Sequence, residues 1–95
     1  MKNLKQITLF AMLLNFSILL GQQKTITGLI IDDQGVPLPG ATVVVVETGD
    51  GTTTDFDGNY TIGAEEGQTL AFSYVGYSTQ EILVGSASSY DITMQ

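Results

Sequence analysis

The 95-residue chain contains no cysteine and no histidine. Without cysteine it has no disulfide, no thiolate metal ligand, no cysteine nucleophile and no acceptor for an N-terminal lipid, and its redox compartment goes unreported. Without histidine it lacks the usual general base near neutral pH and the commonest metal ligand. Basic residues are nearly as scarce, since Lys2, Lys5 and Lys24 stand against ten carboxylates. Residues 22–95 retain only Lys24 against all ten acids, a formal charge of −9. Such a surface repels phosphate backbones and anionic lipid headgroups, which argues against nucleic acid and peripheral membrane as partners. A cationic or neutral partner fits better.

What is present begins with a basic start, Lys2 and Lys5, followed by an apolar run from Ile7 to Leu20 broken only by Thr8, Asn15 and Ser17. This is the layout of a secretory signal peptide, with cleavage expected after Gly21. The run of 14 residues is short of the roughly 20 that a spanning helix needs. A retained anchor or a buried helix is the competing reading. Two segments result, a signal peptide over residues 1–21 and one domain over 22–95.

From Lys24 onward, short β-rich segments alternate with turn signals, the pattern of an all-β sandwich or barrel. Lys24–Asp32 opens the series, and Gly28 inside it predicts a bulge or a close backbone approach. Val36–Gly40 holds both prolines and is expected to cross between strands, because neither proline can donate a ladder hydrogen bond. Ala41–Glu47 is the most β-branched run and is expected to be buried on both faces. Gly51–Thr54 and Asn59–Ile62 read as strands joined in a hairpin through Asp55–Gly58, where Asp57-Gly58 supplies the turn chemistry. Thr69–Val75 sets Leu70, Phe72 and Tyr74 on one face. Tyr77–Val84 and Tyr90–Met94 complete about seven strands, and two antiparallel sheets packed face to face are the economical arrangement.

Three kinds of site are conceivable. Asp55–Glu66 places Asp55, Asp57, Asn59, Thr61, Ile62 and Glu66 where a calcium EF-hand loop has positions 1, 3, 5, 7, 8 and 12. Position 6, which needs glycine, is Tyr60, and strands rather than helices flank the loop, so a plain hairpin is preferred. Asp55, Asp57, Asn59 and Glu66 are the residues a weak calcium site would use, and no metal or cofactor is expected. The carboxylate pairs Asp32/Asp33, Asp55/Asp57 and Glu65/Glu66 all fall in expected turns, where acids are solvated rather than tuned for glycoside hydrolysis. Ser73, Ser78, Ser86, Ser88 and Ser89 have no histidine base, and Lys24 is the one lysine beyond the leader. No catalytic residue is expected, and the chain is not expected to be an enzyme. Phe56, Tyr60, Phe72, Tyr74, Tyr77 and Tyr90 could stack on sugars, but aromatics at strand spacing are more often core.

Thr27-Gly28, Gly35-Val36-Pro37-Leu38-Pro39-Gly40-Ala41, Val43–Val46, Gly51–Tyr60 and Leu70–Tyr77, taken together, closely resemble one module. It is the carboxypeptidase regulatory-like (CarboxypepD_reg-like) domain at the N-terminus of SusC/RagA-type TonB-dependent outer-membrane transporters. The resemblance implies a transthyretin-like or prealbumin-like seven-stranded antiparallel β-sandwich, exported to the periplasm and outer membrane. In that family the module precedes a TonB box, a plug and a barrel that imports glycans or peptides. The expected function is a non-catalytic periplasmic accessory or regulatory module acting by protein contact. It is either a fragment without plug and barrel or a free-standing copy. A stand-alone exported carbohydrate-binding or adhesion sandwich is the alternative. The matching residues shape turns and crossings (Gly28, Gly35, Pro37, Pro39, Gly40, Asp57, Gly58) or are core candidates (Val43, Val45, Phe72, Tyr74), so the resemblance assigns no binding residue.

Overall fold

The computed structural model describes residues 22–95, so the expected leader lies outside the described residues. Seven strands follow in order: β1 Lys24–Ile31, β2 Thr42–Val45, β3 Gly51–Thr53, β4 Asn59–Ala64, β5 Thr69–Ser73, β6 Gln80–Leu83 and β7 Ile92–Thr93. They form a three-stranded sheet, β4-β1-β7, and a four-stranded sheet, β3-β2-β5-β6. The all-β sandwich expected from the turn spacing is therefore the observed architecture. One pairing is not antiparallel: β7 runs parallel to β1, with Ile30 opposite Ile92 and Ile31 opposite Thr93. Parallel neighbours need a long crossover, and here β2 to β6 intervene between the two.

The core lies between the sheets because strand side chains alternate between faces. In β4 the inward set is Tyr60, Ile62 and Ala64, and in β5 it is Leu70 and Phe72. Ile26 and Ile30 of β1 are fully buried, and Gly28 lies between them on the same face. Tyr60 stands opposite Gly28 in the β1–β4 register. Its ring fills the space a side chain at 28 would take, meets Phe72 edge-on at 5.5 Å, and donates its hydroxyl to the Tyr90 carbonyl at 2.7 Å. A Cβ at Gly28 would come within 1.9 Å of that carbonyl and 2.6 Å of the Tyr60 ring, so the close approach expected at this glycine is present.

Two expectations are corrected. Ala41–Glu47 is not buried on both faces: Val43 and Val45 point into the core, Val44 is half-buried and Val46 is exposed. The β-branched run reflects strand preference, and among the described residues no second layer covers its outer face. The Asp55–Gly58 turn, moreover, does not close a hairpin. β3 pairs with β2 in one sheet while β4 pairs with β1 in the other. The turn carries the chain across the sandwich, so local turn chemistry was legible but the partner of each strand was not.

The proline segment fits its expected role as a crossing. Leu38 donates its amide to the Ile30 carbonyl at 2.9 Å, and Pro37 forms a single antiparallel bridge with Ile31. The segment is locked by Thr54, the one buried polar side chain among the described residues. Its Oγ1 accepts from the Ala41 amide at 2.9 Å and donates to the Leu38 carbonyl at 2.5 Å.

Candidate functional site

The strand registers sort every loop to one of two ends. Leu29 faces Asn59, Thr42 faces both Thr53 and Ser73, and Phe72 faces Gln80. Residues 32–41, 54–58 and 74–79 therefore share one end, here called the Gly40 end. Residues 46–50, 65–68 and 84–90 share the other with Lys24.

The Gly40 end is shaped by two copies of one turn. In Asp32–Val36, Asp32 Oδ1 accepts the amides of Gln34 at 2.8 Å and Val36 at 2.9 Å. In Asp55–Asn59, Asp55 Oδ1 accepts the amides of Asp57 and Asn59, both at 2.9 Å. In each copy the glycine amide bonds back to the aspartate carbonyl, at 3.1 Å for Gly35 and 3.0 Å for Gly58. Both glycines have φ of +81°, a conformation that glycine adopts without steric cost. Aspartate is favoured at the first position because its side chain satisfies amides the turn would otherwise leave unpaired. The repeated D-x-x-G spacing, Asp32-Asp33-Gln34-Gly35 and Asp55-Phe56-Asp57-Gly58, is the signal in the sequence that could have revealed the pair. Gly58 also lies tightly against the proline crossing, where a Cβ would meet the Ile30 carbonyl at 2.7 Å and Pro37 Cβ at 3.0 Å.

These turns lift apolar side chains into solvent. Phe56 is 93% exposed, Val75 is 92% exposed and Val36 is 54% exposed. Two open depressions of about 350 and 370 Å³ adjoin at Gly40, one reaching Tyr74 and Val75, the other Thr54 and Phe56. Behind Val75, the Tyr74 and Tyr77 rings meet at 5.9 Å. The Tyr77 hydroxyl is held above its ordinary pKa, by partial desolvation first and then by the nearby charges of Asp32 and Asp33.

The structure does not gather the calcium candidates. Asp55 and Asp57 belong to the Gly40 end, Asn59 begins β4, and Glu66 lies beyond the far end of β4, with its Oε1 3.7 Å from Lys24 Nζ. Among the described residues no three acidic side chains converge as metal ligands would. Asp32/Asp33 and Asp55/Asp57 share one end and Glu65/Glu66 occupies the other. Ser73 and Ser78 lie towards the Gly40 end, while Ser86, Ser88 and Ser89 are in the loop before β7. Lys24 Nζ donates to the Gly85 carbonyl at 2.6 Å, far from the aspartate turns. The six aromatics do not form a platform: Phe72 and Tyr60 are core, Tyr74, Tyr77 and Tyr90 pack against it, and only Phe56 stands free.

The family of the CarboxypepD_reg-like domain matches residues 26–95, all but the first few residues of the described chain. The chain belongs to this family. Among curated relatives, TonB-dependent receptor P39 of Formosa agariphila is 42% identical over 77 residues, which is 80% of this chain and 7% of that protein. TonB-dependent receptor P3 of the same organism is 36% identical over 96 residues, covering 99% of this chain and 10% of the relative. TonB-dependent receptor SusC of Bacteroides thetaiotaomicron is 45% identical over 65 residues, 68% of this chain and 6% of the relative. The chain thus spans a tenth or less of the length of the curated relatives it matches. In this CarboxypepD_reg-like domain the segments quoted for the resemblance, Gly35–Ala41 and Gly51–Tyr60, are the proline crossing and one of the aspartate turns. They meet each other at Gly58 and Thr54.

Proposed function

We propose that the chain is a non-catalytic accessory module of a TonB-linked outer-membrane nutrient transporter, exported through a leader over residues 1–21 and acting in the periplasm by protein contact. The observation that carries this reading is similarity to proteins named TonB-dependent receptors across almost the whole chain, in one case over 99% of it. The site geometry is in keeping with it. The carboxylates at the Gly40 end are turn-forming or solvated, no histidine is available anywhere, and the exposed groups are those suited to touching another macromolecule.

Two measurements test the reading. The reading frame downstream of codon 95 is expected to continue into plug and barrel sequences, and in-frame deletion of residues 22–95 is expected to lower substrate uptake while leaving the barrel in the outer membrane. Unchanged uptake after deletion defeats the accessory role. Mass spectrometry of the exported material is expected to show a start near Gln22, and an intact leader defeats the export route. The exposed Phe56 is the observation favouring a stand-alone carbohydrate-binding sandwich. That reading requires a glycan-array signal abolished by Phe56→Ala.

A further inference from the structure

Five large apolar side chains are exposed among the described residues, and Val36, Phe56 and Val75 belong to the Gly40 end. The fold does not require Phe56 there, since the turn is closed by Asp55 and Gly58, and a ring that is 93% exposed adds nothing to the core. Scattered single apolar residues are ordinary on protein surfaces, but Val75 and Phe56 line two depressions that share Gly40, and grouped exposed apolar side chains of this kind mark a contact surface. Among the described residues the same end carries Asp32, Asp33, Asp55 and Asp57 and no basic residue. Lys24, the only cation of residues 22–95, is held at the opposite end by the Gly85 carbonyl and Glu66. The side chains of Asp33 and Asp57 are exposed at this end. A partner meeting this surface must bring apolar groups for Phe56 and Val75 and positive charge for the aspartates.

We propose that the Gly40 end is a docking surface for a basic polypeptide segment, one that seats an apolar or aromatic side chain in the depressions between Phe56 and Val75 and sets its lysines or arginines over Asp33 and Asp57. The two elements divide the work: charge steers the encounter, and burial of the apolar cluster supplies the binding energy. This inference deepens the protein-contact reading and rests on it. It names the face and the chemistry of the partner.

The test uses the purified chain and three fluorescein-labelled peptides of equal length, one alternating lysine with phenylalanine, one lysine with serine and one glutamate with phenylalanine. Anisotropy titration is expected to show binding of the lysine–phenylalanine peptide only. Affinity is expected to fall about tenfold or more in Phe56→Ala/Val75→Ala and in Asp33→Asn/Asp57→Asn. The double variant Val46→Ala/Asp50→Asn at the other end is expected to bind like the parent. All of these positions are exposed, and circular-dichroism melts confirm that each variant folds. Binding of the lysine–serine peptide as well, or equal losses from the two ends, reduces the effect to attraction by net charge and overturns the proposal, as does no binding at all. A dimer in sedimentation that disappears in Phe56→Ala assigns the face to a second copy of the chain and also overturns it. Peptide binding as expected, beside unchanged uptake in the deletion strain, sinks the transporter reading and leaves the docking surface standing. Reduced uptake in that strain with no peptide binding sinks the docking surface alone.

Discussion

Gly28 and Tyr60 form one unit, in which the ring of one occupies the side-chain space of the other. Gly28→Ala drives a methyl into the Tyr90 carbonyl and the Tyr60 ring, and is expected to destabilise by about 3 kcal/mol, the upper part of the overpacking range. The midpoint of urea unfolding measures it. Burial of the Tyr60 phenol, with the charge of Asp91 adding to it and Tyr90 after that, pushes its pKa from 10.0 up to about 12. The unfolded chain therefore gives up this proton before the folded chain does. Stability contributed by the neutral phenol is fully present below pH 10 and declines as pH rises towards about 12. Melting temperature followed across that window is expected to fall in the parent and to fall less in Tyr60→Phe. Thr54 is a second unit at this scale, because its hydroxyl serves two backbone groups at once. Thr54→Val leaves the Ala41 amide and the Leu38 carbonyl buried without partners, at a cost of about 1–3 kcal/mol each by the usual penalty for unsatisfied groups.

The strand β2 shows how composition and environment separate. Four valines in a row read as a doubly covered strand, but only one sheet packs on β2, so Val43 and Val45 are core while Val44 and Val46 are not. Val43→Ala is expected to destabilise by about 2 kcal/mol and Val44→Ala by well under half of that. Equal effects in thermal unfolding would restore the doubly covered reading. The Asp55–Asn59 turn makes the corresponding point for a connection. Its aspartate holds two amides in place, so Asp55→Ala is expected to lose about 1–2 kcal/mol of stability. The loss is expected to be the same with and without calcium. Calorimetric titration checks it: tight calcium binding abolished by Asp55→Ala would turn the structural aspartate into a metal ligand.

Across the whole molecule, charge is the dominant unbalanced quantity. Residues 22–95 carry ten carboxylates and one lysine, and the lysine makes the one salt bridge seen among the described residues, with Glu66. Self-repulsion of this kind weakens the compact state and is relieved by screening. Melting temperature is expected to rise as salt is raised from about 10 mM to about 200 mM, where the screening length drops from about 30 Å to less than 10 Å. A flat or falling profile would show that the acids are already compensated in the fold. The two ends also differ at this scale: Lys24 pairs with Glu66 at one end, where Glu47, Asp50 and Glu65 also lie, whereas among the described residues the Gly40 end holds its aspartates and its exposed Phe56 with no basic side chain.

The sequence by itself determined the all-β class, the seven strands, the turn residues and the family, because all of these rest on local chemistry. Alternation sets which side of a strand is apolar, glycine permits positive φ, and aspartate caps its own turn. It also marked Gly28 as a bulge or a close approach, and the structure shows the close approach. Only the tertiary structure decided that Tyr60 is the residue filling that space, that β7 lies parallel to β1, and that the Asp55 turn crosses between sheets instead of closing a hairpin. Pairings of this sort join residues far apart in the chain, and neither partner carries a local mark of the other. The Gly40 end follows the same rule. Its aspartates and Phe56 could be read one by one, but their assembly around Gly40 with Val75 depends on strand register, which is settled when the two sheets bury their apolar faces against each other.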